Sequence, residues 1–128
     1  MHPFPHHYIV DAAVRPDGDV PLAAEGMRVI ESAPPKEFGG PGNQWSPEGL
    51  LTASVADCFV LNFRAIAAAS KFAWTHLDAR TQGTLDRVDG KMRFHALRHP
   101  RQVDGAGGHR RRACQEAHGE GGTDLPGG

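Results

Sequence analysis

A loop rich in glycine and proline runs straight into residues 46–66, and this junction limits the possible folds more than any other part of the chain. Ser46 is suited to accept hydrogen bonds from the first free backbone N–H groups of a helix. Pro47 fits the first helical position, where its missing N–H costs nothing. Glu48 puts a negative charge at the positive end of the helix dipole. Leu51, Val55, Phe59, Phe63 and Ile66 recur at steps of three and four residues, which draws one apolar stripe along a helix. The spacing predicts a helix ending near Ser70 or Lys71. Cys58 lies beside its stripe, and Asp57 and Arg64 mark its solvated side.

Upstream, Tyr8, Val10, Ala12 and Val14 alternate as a half-buried strand does. Pro16-Asp17-Gly18 is turn chemistry. Residues 19–23 read as the return strand, and Pro21 places that strand at a sheet edge. A short strand over 27–32 follows. Pro34, Pro35, Gly39, Gly40, Pro41 and Gly42 make the next segment a loop. Beyond the helix, Trp74, Leu77, Ala79, Thr81 and Leu85 give an extended segment with imperfect alternation. Asp89-Gly90 signals a hairpin whose partner strand begins at residues 91–94. The fold class expected is α+β: N-terminal antiparallel hairpins, a long central helix carrying Cys58, then a second hairpin.

Composition narrows the function classes. A chain of 128 residues is one domain by length, large enough to bury a core. The net charge of -1 gives no reason to expect nucleic acid or an anionic membrane as partner. Asp57, Asn62 and Arg64 interrupt the apolar helix, so no membrane span is expected, and no charged-then-apolar leader signals secretion. Cys58 and Cys114 lie far apart without CxxC spacing and make no disulfide framework, so the cytoplasm is the expected compartment.

After Phe94 the character changes. Residues 95–128 hold 8 of the 16 glycines and 4 of the 8 histidines, with Leu97, Val103 and Leu125 as the large aliphatics. Such a segment cannot bury enough apolar surface to offset its ordering entropy, so an irregular tail is expected. His109, Cys114 and His118 approach a metal-ligand spacing but lack a fourth ligand, and no metal site is expected. Arg110-Arg111-Arg112 reads as part of a solvated tail rather than a phosphate-binding patch.

Several stretches together resemble the family of osmotically inducible protein C and organic hydroperoxide resistance proteins (OsmC/Ohr). They are Ser46-Pro47-Glu48-Gly49-Leu50-Leu51, then Ala56-Asp57-Cys58-Phe59, the loop over 34–42, and Gln82-Gly83-Thr84-Leu85-Asp86-Arg87-Val88-Asp89-Gly90. The resemblance covers roughly residues 3–94. It implies an incomplete OsmC-like α+β domain over 1–94 and a low-complexity tail over 95–128. Members of the family are homodimers that reduce organic hydroperoxides with cysteines alone. They need no bound cofactor, because an external dithiol, such as a lipoyl group, re-reduces them. The resemblance makes Cys58 the peroxidatic nucleophile and Glu48 the carboxylate that holds an activating arginine. Arg15, just before the first turn, matches the position of that arginine loosely, and Arg28 is the substitute.

The chemistry accounts for such a set. Only a thiolate attacks a peroxide oxygen, and an ordinary cysteine, with a pKa of about 8.5, is mostly protonated at neutral pH. A guanidinium beside Cys58 stabilises the thiolate and the departing alkoxide, and Glu48 orients it. Ten residues of helix span about 15 Å, so Glu48 cannot itself touch Cys58. An arginine, chain bending or a second subunit must close the gap.

The family's second, resolving cysteine has no counterpart at Cys114, which lies among Arg110, Arg111, Arg112 and Glu116 without a helical pattern. A one-base shift of reading frame shortly after Phe94 would account for this. With GC-rich codons, the shifted frame permits family-like phrases across 102–110 and a cysteine across 124–126. Such a product has lost its second helix and its intramolecular disulfide. Three readings stay open: a cysteine-based hydroperoxide reductase, a non-catalytic dimeric ligand-binding or stress-associated protein of the same fold, and a truncated inactive relative. Phe59, Phe63 and Trp74 serve either core packing or the lining of a pocket for an alkyl hydroperoxide.

Overall fold

A computed structural model describes residues 1–105, 110–111 and 118–124. The chain divides into two compact units, Met1–Pro47 and Glu48–Gly128. The architecture is α+β: along the chain an antiparallel sheet is followed by one long helix and then a second antiparallel sheet, as the sequence predicts.

The first unit holds three short antiparallel strands, β1 (Asp11–Ala12), β2 (Val20–Ala23) and β3 (Ile30–Ser32), in the order β1-β2-β3. Pro21 therefore sits in the middle strand, not at the expected edge. The register explains the exception. The Pro21 carbonyl accepts a bond from the Ala13 N–H at 3.5 Å, so its donorless nitrogen faces the same side, just where β1 ends. Only one terminal ladder bond is forfeited. The Ser32 hydroxyl, on a buried residue, donates to the Val20 carbonyl at 3.2 Å, tying β3 to β2. The glycine- and proline-rich loop closes on itself through bonds from Phe38 and Gly40 to the Pro35 carbonyl. The Ala33 N–H donates to the Trp45 carbonyl at 2.8 Å, which anchors the chain just before the helix.

The helix of the second unit, α1, spans Pro47–Ala69, starting directly after Ser46. Its end is built by the backbone. Lys71 takes a left-handed φ of 52°, the Lys71 N–H reaches the Ala68 carbonyl, and the Phe72 N–H reaches the Ala67 carbonyl at 2.8 Å. This pair of bonds satisfies the last free carbonyls as a Schellman motif does, with lysine at a position that favours glycine. At 23 residues, with an 18-residue stretch of mean hydropathy 1.5, α1 is long and apolar enough to cross a membrane by length and composition. The sequence reading expected no such segment because it gave the polar interruptions more weight. A core helix of a water-soluble protein meets the same description but is mostly buried, whereas only 6% of this apolar stretch is buried.

A long hairpin follows, β4 (Trp74–Val88) against β5 (Lys91–Gly105). Its two-residue turn, Asp89-Gly90, takes positive φ at both positions, 52° and 75°, the twist that a tight hairpin requires. The imperfect alternation of β4 has a cause: the register shifts between Trp74 and His76, leaving Thr75 as an extra residue. Trp74 and Leu77 therefore both end up half-buried although three positions apart. A second shift, between Asp78 and Ala79, restores the register beside Pro100, where a missing N–H is tolerated.

The irregular tail is expected from residue 95, whereas the described residues there are in strands. β5 runs on to Gly105, and β6 (Arg110–Arg111) and β7 (His118–Asp124) pair with it. A strand poor in large apolar residues is held here by its ladder to β4, a long-range pairing that local composition does not report. Residues 106–109, 112–117 and 125–128 lie outside the described residues.

The helix and the hairpin meet at Gly83. A methyl group there would fall on the Thr52 hydroxyl and the ring edge of Phe94, so only glycine permits the approach. Phe94 is 3% exposed and pairs with Leu85, and Ala67 of α1 is 2% exposed. Phe63 meets Trp74 edge to face with ring centroids 5.1 Å apart. Core packing is thus one use of Phe63 and Trp74. The sheet-facing row ends at Ala67, because Ile66 is 65% exposed where the stripe predicted burial. A row fitted by eye at steps of three and four drifts around a helix of 3.6 residues per turn.

Candidate active site

The start of α1 sets the place of the first candidate residue. Glu48 lies in the first helical turn, one turn before Thr52, whose hydroxyl donates to the Glu48 carbonyl at 2.8 Å. That back-bond keeps the Thr52 side chain against the helix and lets it meet Gly83 closely. Glu48 is half-buried. Its Oε2 is shut off from solvent and has no hydrogen-bond partner among the described residues. A carboxylate oxygen in that position bears a desolvation cost until a donor reaches it.

Cys58 lies ten residues further on, at the middle of the helix, and it is exposed. Ten residues advance about 15 Å and turn the side chain to another face, so α1 does not bring Glu48 and Cys58 together. The group beside the sulfur is Asn62, one turn along, whose Nδ2 donates to the Cys58 Sγ at 3.5 Å. Sequence reasoning passed over Asn62 as a polar interruption, although its i,i+4 spacing from Cys58 was there to be read. Asp57 and Arg64 are exposed, as expected of the solvated side.

The arginines belong to the first unit. Arg15 sits on the connection between β1 and β2, Arg28 on the approach to β3, and both are exposed. His109 and Cys114 lie outside the described residues.

A pair not anticipated from the sequence stands on β4. His76 Nε2 lies 2.8 Å from Asp78 Oδ1, two positions apart on one face of the strand, with both side chains more than half exposed. Alternation alone could have suggested it, since residues i and i+2 share a side.

Comparison with known protein families matches residues 40–119, more than half of the chain, to the family described as OsmC-like protein. The matched span begins in the glycine-rich loop, contains the whole of α1 and the β4–β5 hairpin, and runs past Phe94. No curated protein matches the chain.

Proposed function

Because the chain belongs to the OsmC-like family, we propose that it is a cysteine-based peroxidase that reduces organic hydroperoxides in defence against oxidative stress. One observation carries this reading: a solvent-accessible thiol at the middle of α1 shares its helix with a carboxylate whose buried oxygen awaits a donor. That oxygen suits a guanidinium, the role that the family resemblance gives to Arg15, with Arg28 as the substitute.

The reaction proceeds in two stages. The Cys58 thiolate attacks one peroxide oxygen, forming an S–O bond as the O–O bond breaks. The alkoxide takes a proton and leaves as an alcohol. The peroxide gains two electrons and the sulfur becomes a sulfenic acid. One thiol of an external dithiol, such as a lipoyl group, then attacks that sulfur and releases water. The second thiol displaces Cys58 from the mixed disulfide, leaving the reductant as a disulfide and Cys58 reduced. No cofactor or metal enters either stage.

The working form is a homodimer in the cytoplasm, where dithiols are kept reduced. Support for a second copy comes from apolar side chains left at the surface, including Ile66 on α1 and Tyr8, Ile9 and Val10 in the first unit. A protein partner suits α1 better than lipid does. Asp57 lies near the helix midpoint, and a carboxylate at a bilayer centre costs about 2.5–3.5 kcal/mol on insertion scales.

A second reading, a non-catalytic ligand-binding relative, rests on the neutral Asn62 amide beside the sulfur in place of a cation. Peroxide consumption separates the two. With dithiothreitol as reductant, the purified protein consumes cumene hydroperoxide, Cys58→Ser abolishes the turnover, and Glu48→Gln slows it about tenfold or more, 1.4 kcal/mol in the barrier. Equal rates for the parent and Cys58→Ser would defeat the proposal.

A further inference from the structure

A cleft of about 320 Å³ opens between α1 and the first residues of β4. Val60, Leu61 and Arg64 form its helix wall, and Trp74, Thr75, His76 and Leu77 form its strand wall. The extra residue at Thr75 shapes it, because the bulge lets Trp74 and Leu77 share one side of the strand. The Trp74 ring also packs edge to face with Phe63, which is not among the lining residues. The walls are therefore mixed, with four apolar side chains and three polar ones.

Two of those side chains are already engaged. The Thr75 hydroxyl donates to the Asp104 carbonyl at 3.3 Å, and the His76 ring is bound to Asp78. Arg64 is different: its guanidinium has no protein partner among the described residues, so its N–H donors are open to a ligand. No acidic side chain is among the lining residues, and Asp78, next to that lining in sequence, is bound to His76.

We infer that this cleft binds a small amphipathic carboxylate, with Arg64 taking the head group and the Trp74, Leu77 and Val60 surfaces taking the tail. Arginine matches a carboxylate with two parallel hydrogen bonds, which gives the head group a direction. The volume limits the tail. At about 30 Å³ for each water-sized unit, the cleft holds roughly ten non-hydrogen atoms, the size of octanoate. Cys58 is not part of the lining, so the inference stands or falls independently of the peroxidase reading.

The test uses the full chain carrying Trp45→Phe, which leaves Trp74 as its one tryptophan. Titration with sodium octanoate below its micelle concentration changes Trp74 fluorescence saturably, with half-saturation at about 1 mM. Arg64→Gln weakens binding about tenfold and Arg64→Lys restores part of it, while far-UV circular dichroism stays unchanged because Arg64 is exposed. Octan-1-ol and sodium acetate, each lacking one half of the ligand, bind about tenfold more weakly. Failure of octanoate to saturate the signal overturns the inference. So does equal binding by Arg64→Gln, or by octan-1-ol.

Discussion

The two sides of α1 are built from similar residues and have opposite surroundings. On one side Thr52 meets Gly83, Phe63 meets Trp74, and Ala67 is buried. On the other, Cys58, Asn62 and Ile66 are all exposed. The first side orders the helix against the hairpin. The second presents a thiol and apolar surface to whatever arrives from outside the unit. The contrast shows how one helix can separate stability from chemistry, so that substitutions on one side leave the other intact.

Four substitutions sharpen or break this contrast. The largest effect is expected of Phe94→Ala, which empties the most buried aromatic position and should lower unfolding free energy by about 3–5 kcal/mol in urea titrations. Gly83→Ala follows. Its new methyl group would force Thr52 and Phe94 apart, at a cost of about 1–3 kcal/mol, read from the same titrations. Lys71→Gly acts in the opposite direction. Relief of the left-handed backbone should raise stability by about 1 kcal/mol, read as an increase in Tm. Smallest is Ile66→Gln, expected to change monomer stability by no more than about 0.5 kcal/mol. A larger loss that grows with protein concentration would place a second copy on the outward side, and would end the simple division into a packed and an open face.

The sequence announced α1 well because its signals are local. Ser46, Pro47 and Glu48 form a start signal in three consecutive residues, and the helix begins where they put it. Asp89-Gly90 was equally legible, since two positive φ angles in a row select those residue types. The length of β5 was not legible, because residues 95–105 are ordered by a partner strand rather than by their own composition. Pro21 misled for a related reason: its cost depends on which neighbour its nitrogen faces, which is a property of register.

The candidate site divides in the same way. Helical arithmetic set Cys58 and Glu48 about 15 Å apart along the helix, and α1 runs unbroken through both. The shielding of the Glu48 Oε2 depends on tertiary packing and has no local signature. The identity of the activating arginine is just as non-local. Arg15 and Arg28 are both carried by strand connections of the first unit, and it is the family resemblance that ranks Arg15 first.

The most direct measurement is a single-turnover one. One equivalent of cumene hydroperoxide is added to the reduced protein without dithiol, and sulfenic acid is trapped with dimedone and located by peptide mass spectrometry. The account predicts one dimedone adduct per chain, on Cys58, and one equivalent of alcohol released. A thiol at Cys58 that survives unmodified while the hydroperoxide remains unreduced would contradict it.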